Sequence, residues 1–274
     1  MMNMQTIENQ HFLHIHHLSF SKNLKIQIIK MANIVLHKSE TRGNANHGWL
    51  NAHHSFSFAN YYNPERMHFG VVRVLNDDII APAMGFGTHP HDNMEIITIP
   101  LRGSLRHKDS MGNEAVIEQN EVQIMSAGTG IQHSEFNASR DKDINLLQIW
   151  LFPKLRNIKP RYDQRTFRPE DRVNQLQTVV APIGSEEEKV DAIGINQEAW
   201  FSLGTLTEGI EKTYSVKKTG NGVYAFVIEG NVTINGQPLS KRDALGISDI
   251  EMLSIKAETD AEILLMDVPM SLDN

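Results

Sequence analysis

Hydrophobic and polar residues alternate in short runs along the chain from about residue 31 onward. Runs rich in Val, Ile and Phe recur between clusters of Gly, Asn, Asp and Pro, a pattern typical of antiparallel sandwiches and barrels. Long amphipathic helices are scarce, and only residues 184–200 could form a short helix or a charged loop. The pattern therefore predicts an all-β protein. Representative strand-forming runs lie at 69–82, 95–109, 121–130 and 145–153.

The strand pattern occurs twice. Residues 153–182 are basic, polar and rich in proline, which suits a linker or a crossover strap, and a second series of strands follows. The stretch VIEGNVTINGQPL (227–239) repeats the order of strand, glycine, strand and glycine-containing turn in IPLRGSLRHKDSMGN (99–113). This similarity favours a duplication, and we predict one domain at 31–160 and a second at 161–274.

The first thirty residues differ from the rest. They have no basic segment at the start, since the first lysine is Lys22, and no uninterrupted apolar core or small-residue cleavage site, so we do not expect a signal peptide. Met31 is a second plausible start. We expect residues 1–30 to be an extension that is disordered or that lies upstream of the actual start. Three histidines there could bind metal adventitiously: His14, His16 and His17.

Composition and charge exclude several classes of function. With 274 residues, 40% of them apolar, the chain can build a sizeable core, but no apolar run reaches the roughly 18 residues that span a bilayer. The net charge of −7 and the absence of a dense Lys/Arg cluster disfavour direct binding to nucleic acid or membrane. There are no cysteines, which excludes disulfides and thiolate ligands. We expect a cytoplasmic protein.

The histidines are confined to one part of the chain. All 13 lie at or before residue 133, and the second half has none. A metal site that uses imidazole would therefore belong to the first domain.

Two short stretches carry the candidate chemistry. GFGTHPHDNMEIITIPLRG (85–103) contains His89 and His91 two residues apart, followed by Glu95. In a strand both histidines point to one face, and Glu95 shares their parity if the strand is unbroken. Pro90 between them lacks an N–H, which places this piece at an edge or just before regular pairing. A simple polar strand face would give the same spacing.

The second stretch repeats the theme. QIMSAGTGIQHSEFN (123–137) places His133 and Glu135 two residues apart after a glycine-rich turn. Together the two stretches offer three imidazoles and one or two carboxylates. This donor set suits a transition metal that keeps open positions for a substrate or O₂.

The two stretches resemble the paired motifs of cupins, although Gly128 replaces a proline and the opening glycine near residue 121 is missing. More narrowly, the chain resembles the pirin family, and especially its bacterial quercetinase-like members. The resemblance is dense from about 36 to 166 and thinner in the second half. Besides the two motifs, it is carried by RGNANHGWLNAHHSFSFANYYNPERMHFG, RVLNDD, HKDSMGN, LLQIW, PRYDQR and NVTING.

The resemblance implies a bicupin, built of two jelly-roll-like β-barrels with a metal in the N-terminal barrel only. It implies four ligands: His89, His91, His133 and Glu135. The general cupin pattern would instead offer Glu95 as the carboxylate. Pirin-type proteins use the glutamate after the last histidine, so we favour Glu135. Glu95 would then contact the ligand residues without binding the metal itself, or it would form a salt bridge.

The resemblance also implies an activity, the dioxygenation of a flavonol such as quercetin, with ring cleavage and loss of carbon monoxide. The partners would be a small phenolic substrate and O₂. The cofactor would be one divalent transition metal ion, Fe(II) first, with Mn, Ni, Co, Cu or Zn as alternatives. Glu135 would accept the proton of the 3-hydroxyl group, and so is the candidate catalytic residue.

Two rival functions fit the same residues. Some pirins resemble metal- or redox-sensing regulators that bind a protein partner such as a transcription factor. A cupin isomerase or decarboxylase could also use the same ligands. An enzyme needs an open position and a cavity beside the metal, whereas a sensor needs neither.

The remaining candidates have structural explanations as well as functional ones. His47, His53 and His54 could line the mouth of the barrel or form hydrogen bonds in a loop, and we expect His107, beside a turn, to face solvent. Four further residues are candidate pocket walls or ordinary core: Phe86, Met125, Gln148 and Trp150.

Overall fold

The computed structural model describes residues 32–272. The predictions for residues 1–30, and for the three histidines within them, lie outside the described residues. Strands dominate the described part, and the helical segments are short. The α-helix α1 (Glu186–Val190) falls in the region where a short helix or charged loop was expected, and two 3₁₀ turns occupy Ser39–Thr41 and Pro169–Arg172. Between residues 32 and 272, no helix is long and apolar enough to cross a membrane.

The first twelve strands end at Thr166. They are β1 (Asn33–His37), β2 (Gly43–Asn46), β3 (Leu50–His54), β4 (Val72–Ile80), β5 (Gly85–His91), β6 (Glu95–Arg102), β7 (Ser104–Asp109), β8 (Glu114–Glu118), β9 (Glu121–Ser126), β10 (Ile131–Asn137), β11 (Ile144–Leu151) and β12 (Arg161–Thr166).

Ten strands follow. They are β13 (Leu176–Pro182), β14 (Ile193–Ile195), β15 (Trp200–Leu206), β16 (Glu211–Ser215), β17 (Asn221–Glu229), β18 (Asn231–Ile234), β19 (Gln237–Ser240), β20 (Ala244–Ser248), β21 (Met252–Ala257) and β22 (Ala261–Pro269).

The strands form two barrels, each made of a seven-stranded and a four-stranded sheet. The first barrel has the orders β12-β9-β6-β11-β4-β3-β2 and β5-β10-β7-β8. The second has β1-β20-β17-β22-β15-β13-β14 and β16-β21-β18-β19. The order β9-β6-β11-β4 recurs as β20-β17-β22-β15, and the small sheets match strand for strand. The predicted all-β fold is confirmed, and the repeated order supports the duplication inferred from the sequence.

Two strands cross the predicted domain boundary. β12, placed by the sequence in the second domain, pairs with β9 of the first barrel, and β1, placed in the first, pairs with β20 of the second. Each of the two strands covers an edge of a large sheet that would otherwise expose unpaired backbone groups. Composition marks the strap at 153–182 but carries no information about strand pairing.

The largest apolar cluster lies where the two seven-stranded sheets pack together. The first barrel contributes Leu75 and Ile97, and the second contributes Phe226 and Leu264, among others. Because strand side chains alternate, the same strands of the first barrel present a second face to its interior. The candidate site lies between this interior face and the four-stranded sheet.

Candidate metal centre

The three candidate histidines lie on two neighbouring strands of the small sheet. β5 and β10 are antiparallel, with His89 opposite His133 and His91 opposite Ile131. The strands approach closely because residue 85 is glycine: a Cβ there would lie 2.1 Å from the carbonyl oxygen of Glu135. The imidazoles of His89, His91 and His133 therefore converge on one region, as the spacing predicted.

The distances within this cluster suit one shared cation. The Nε2 atoms of His89 and His133 are 3.0 Å apart, and one ring nitrogen from each of the three histidines lies within 4.8 Å of the others. Two nitrogens that each lie about 2.1 Å from one metal, at roughly a right angle, are about 3.0 Å apart. The donor set therefore fits a divalent transition metal ion.

The protonation of the cluster also suits a metal. The Nδ1–H of His89 donates to the carbonyl oxygen of Gly87 at 2.8 Å, which leaves the Nε2 lone pair directed at the cluster. Burial, with the neighbouring imidazoles, lowers the pKa of His91 to about 4 and that of His133 to about 3. Both rings are neutral at pH 7, as metal binding requires.

Glu135 lies deeper in the barrel and is 4% exposed. Gln148 Nε2 donates to both of its carboxylate oxygens, at 3.0 and 3.1 Å. Burial raises the pKa of Glu135 above its ordinary value, although the hydrogen bonds from Gln148 oppose the shift. Its oxygens cluster with nitrogens of His107 and His133, whereas His89 and His91 belong to a separate cluster that shares only His133.

Glu95 faces away from the centre. β5 ends at His91 and β6 begins at Glu95, with Asn93 between them at φ 44°, so the parity that would have aligned Glu95 with the histidines is lost. Its Oε2 accepts hydrogen bonds from Ser126 Oγ (2.7 Å) and from the backbone N–H of Asn196 (3.2 Å) in the second half. Glu95 therefore links the halves by hydrogen bonds, and it forms no ion pair with the residues from 32 to 272.

The prediction that His107 faces solvent was wrong. The residue is 0% exposed, and β7 pairs with β10 so that His107 lies opposite Glu135 and Asp109 opposite His133. His107 Nε2 lies 3.3 Å from Asp109 Oδ2. The alternation in SLRHKD contained the missing signal, because Leu105 marks the buried parity that His107 and Asp109 share.

The other histidines of the first domain take no part in the cluster. His53 and His54 belong to strand β3 rather than to a loop. The Nδ1 of His54 is hydrogen-bonded to Asn76 Oδ1 at 2.8 Å, while His47 is exposed. The expectation of a hydrogen-bonded histidine is met at His54, inside the sheet.

The candidate pocket walls have different positions. The ring of Trp150 lies 4.8 Å from that of His91, and the ring of Phe86 lies 6.4 Å from that of His89. Met125 is fully buried in a small apolar cluster. Trp150 and Phe86 therefore flank the histidines, and Gln148 holds Glu135 from behind.

The cluster is open on one side. His89 and His91 are partly exposed, whereas His133 is 2% exposed. A cleft of about 440 Å³ adjoins His91 and is lined by Pro90, His91, Asp92, Ser110, Thr129, Gly130, Ile131 and Gln132. A small molecule in this cleft would therefore contact His91.

Two family models match the chain. The pirin model matches residues 35–151, and the model described as the quercetinase C-terminal cupin domain matches residues 182–268. The two matches fall on the first and second barrels, which identifies the duplicated fold as a bicupin.

Several known proteins are similar over most of their length. A protein of Escherichia coli (strain K12) named quercetin 2,3-dioxygenase is 44% identical over 236 residues, covering 86% of this chain and 99% of the relative. A pirin-like protein of Caulobacter vibrioides is 40% identical over 225 residues, covering 82% of this chain and 95% of the relative.

Solved structures agree with this similarity. The structure of the bacterial pirin YhhW from Escherichia coli in complex with nickel(II) superposes with a TM-score of 0.81 at 43% identity, covering 87% of this chain and all of the other. With sequence and fold both matched over the full length of these relatives, the chain belongs to the pirin family.

Proposed function

We propose that this protein is a metal-dependent dioxygenase of the cupin type that acts on a flavonol such as quercetin. The observation that carries the proposal is the convergence of three imidazoles beside a buried carboxyl group, with a cleft beside one of them. Relatives named quercetin 2,3-dioxygenase support the reaction class. The ligands would be His89, His91, His133 and Glu135.

The donor set and the relatives narrow the metal to a class. Imidazole and carboxylate suit Fe, Mn, Ni, Co, Cu and Zn, and the YhhW structure is described in complex with nickel(II). We propose Fe(II) as the working ion of this chain. Bound there, it would lower the proton affinity of a coordinated hydroxyl group and hold the substrate next to O₂.

The protein's own residues would bind, orient and deprotonate the substrate. Glu135 would take the proton of the 3-hydroxyl group, because burial raises its pKa and so strengthens it as a proton acceptor. Gln148 fixes the orientation of this carboxyl group through its hydrogen bonds. Trp150 and Phe86 would flank the substrate and exclude water from the reacting atoms.

The cleft beside His91 favours an enzyme over a regulator. A sensor that signals through a protein partner needs no ligand-sized opening at its metal, whereas here His91 lines a cleft of about 440 Å³. The sensing function is the alternative, and metal binding without oxygen consumption would favour it.

The test is oxygen uptake by protein reconstituted anaerobically with Fe(II) and then given quercetin. We expect one O₂ consumed per quercetin, and loss of this uptake in His133→Ala. The matched control is His53→Ala, since His53 is a partly exposed histidine of the same barrel that bonds to Asn44 instead. Metal uptake without oxygen consumption, for every metal of the set, would contradict the proposal and favour the sensing function or another substrate.

A further inference from the structure

Glu135 lies within reach of only one of the three histidines that it is expected to join, His133. Its carboxylate oxygens cluster with His107 and His133, and not with His89 and His91. The pairing of β5 with β10 shifts register between His133 and Glu135, so that Glu135 lies opposite Phe86. The extra residue of this irregularity lies in β5, because two residues of β10 oppose three of β5, while β10 stays in regular register with β7. The histidines of β5 are therefore offset along the strand from Glu135.

The group that holds Glu135 in this position is a pair of side chains on the large sheet. Gln148 Nε2 donates to both oxygens of Glu135, at 3.0 and 3.1 Å, so both oxygens are turned toward β11. Thr98 Oγ1 donates to Gln148 Oε1 at 3.0 Å, which fixes the amide with its nitrogen toward Glu135. Thr98 and Gln148 lie opposite each other on paired strands and are 0% and 8% exposed.

We propose that Thr98 and Gln148 form a retaining pair that holds Glu135 back from the three-histidine cluster, so that Glu135 engages a cation only by leaving Gln148. Gln148 is then a positioning residue that sets how readily this carboxylate becomes a ligand. The inference rests on the proposed metal centre and adds to it a ligand that can engage and release, which would free one position for substrate or O₂.

Removing the Gln148 side chain should change the affinity for the metal ion. The direction of that change distinguishes a residue that holds Glu135 back from one that only orients it as a ligand. If the hydrogen bonds break when Glu135 engages the cation, removing Gln148 destabilises only the metal-free protein, and metal binding becomes tighter. If Gln148 instead keeps its bond to a permanently engaged carboxylate, removing it weakens binding, as loss of a hydrogen-bond partner behind a ligand usually does, by about 10–100-fold.

The experiment measures the dissociation constant of Co(II) alone by competition with a chelating indicator, together with the ligand-field absorption of the bound ion. Gln148→Met keeps the volume and removes the donor, and Thr98→Val keeps the shape and removes the hydroxyl group. We expect Gln148→Met to bind about tenfold more tightly, and Thr98→Val to change in the same direction by less. Gln197→Met is the control, because Gln197 is a buried glutamine whose Nε2 donates to the carbonyl oxygen of Phe152 at 2.8 Å and not to Glu135.

The spectra provide a second readout that a merely structural role would not move. The Co(II) spectrum of Glu135→Gln shows the site without a carboxylate ligand. We expect the spectrum of Gln148→Met to differ from it more than the spectrum of the wild type does. Weaker or unchanged Co(II) binding in Gln148→Met, or in Thr98→Val if the first variant does not fold, would overturn the retaining pair. Failure of the wild type to bind one Co(II) through His133 would instead overturn the metal centre itself, so the two failures are distinguishable.

Discussion

The two barrels share one strand order and differ in what fills them. In the first barrel, β10 points His133 and Glu135 inward, and His133 meets the histidines of β5. In the second barrel, the corresponding strand β21 points Leu253 and Ile255 inward, and Tyr214 of β16 completes an apolar interior. The same framework thus holds a polar centre in one copy and a hydrocarbon core in the other.

The difference shows how a duplicated fold separates chemistry from stability. Buried polar groups in the first barrel oppose folding unless they find partners. Asp78 illustrates the cost, because burial and the charges of Asp77 and Glu135 raise its pKa to about 8. The second barrel and the interface between the large sheets bury mostly apolar side chains, each of which favours folding.

Matched alanine substitutions in the two barrels should have the largest effects. They test whether the first barrel provides metal binding and the second provides stability. His133→Ala removes the residue shared by both donor clusters, so we expect affinity for Ni(II) to fall by at least about 100-fold while the fold is kept. Ile255→Ala should leave Ni(II) affinity unchanged and lower the free energy of unfolding by about 3 kcal/mol. Metal titration and urea unfolding measure the two effects. Loss of metal affinity in the Ile255 variant would break the comparison.

The contact between the barrels should depend on pH through Glu95. Burial raises the pKa of Glu95 from 4.5 to about 7 in the folded protein, so the folded state retains a proton that the unfolded state releases. The contribution of protonated Glu95 to the free energy of unfolding is fully present below pH 4.5. It is lost as pH rises toward 7, at about 1.4 kcal/mol per pH unit.

The comparison between the wild type and Glu95→Gln isolates this effect from other titrating groups. We expect the difference in free energy of unfolding between the two proteins to change by about 3 kcal/mol between pH 4.5 and 7, with the wild type losing stability relative to the variant. Parallel pH profiles would show that Glu95 is not protonated at this interface.

His107 offers a smaller test within the first barrel. We expect His107→Phe to weaken Ni(II) binding by about tenfold, because a less polar wall disfavours a charged carboxylate and cation, while packing against Tyr162 is kept. Tyr214→Phe is the control in the second barrel; it removes the hydroxyl group bonded to Asp267 at 3.0 Å and should not alter the affinity. Equal affinities for Ni(II) in the wild type and the two variants would mean that His107 contributes only packing.

Local spacing was sufficient to predict the fold class, the duplication and the convergence of three histidines. Residues two apart share a face of any strand, so the common orientation of His89 and His91 could be predicted without knowledge of the tertiary structure. The pairing of β1 and β12 across the halves was not predictable in this way, because it depends on which sheet edges remain open.

The outcomes at the site have equally local causes. Glu95 would share the face of the histidines only in an unbroken strand, and the break at Asn93 removes that condition. His107 was assigned to the surface because it lies near a turn, although alternation with Leu105 predicts burial. The hydrogen bonds from Gln148 to Glu135 join residues on different sheets, and no single-strand pattern contains that information.

The smallest expected effect concerns a feature that the barrels share. The hairpins β7–β8 and β18–β19 occupy the same place in the two small sheets, and each turns through a glycine with positive φ, Gly112 at 94° and Gly236 at 81°. A Cβ at either position would meet no atom within 4 Å, so only backbone strain opposes substitution. We expect Gly112→Ala and Gly236→Ala each to lower the free energy of unfolding by about 1 kcal/mol, measured by urea unfolding. A clearly larger loss in one hairpin would mean that the different interiors reach the turns, whereas equal losses would confine the divergence of the two copies to the side chains inside the barrels.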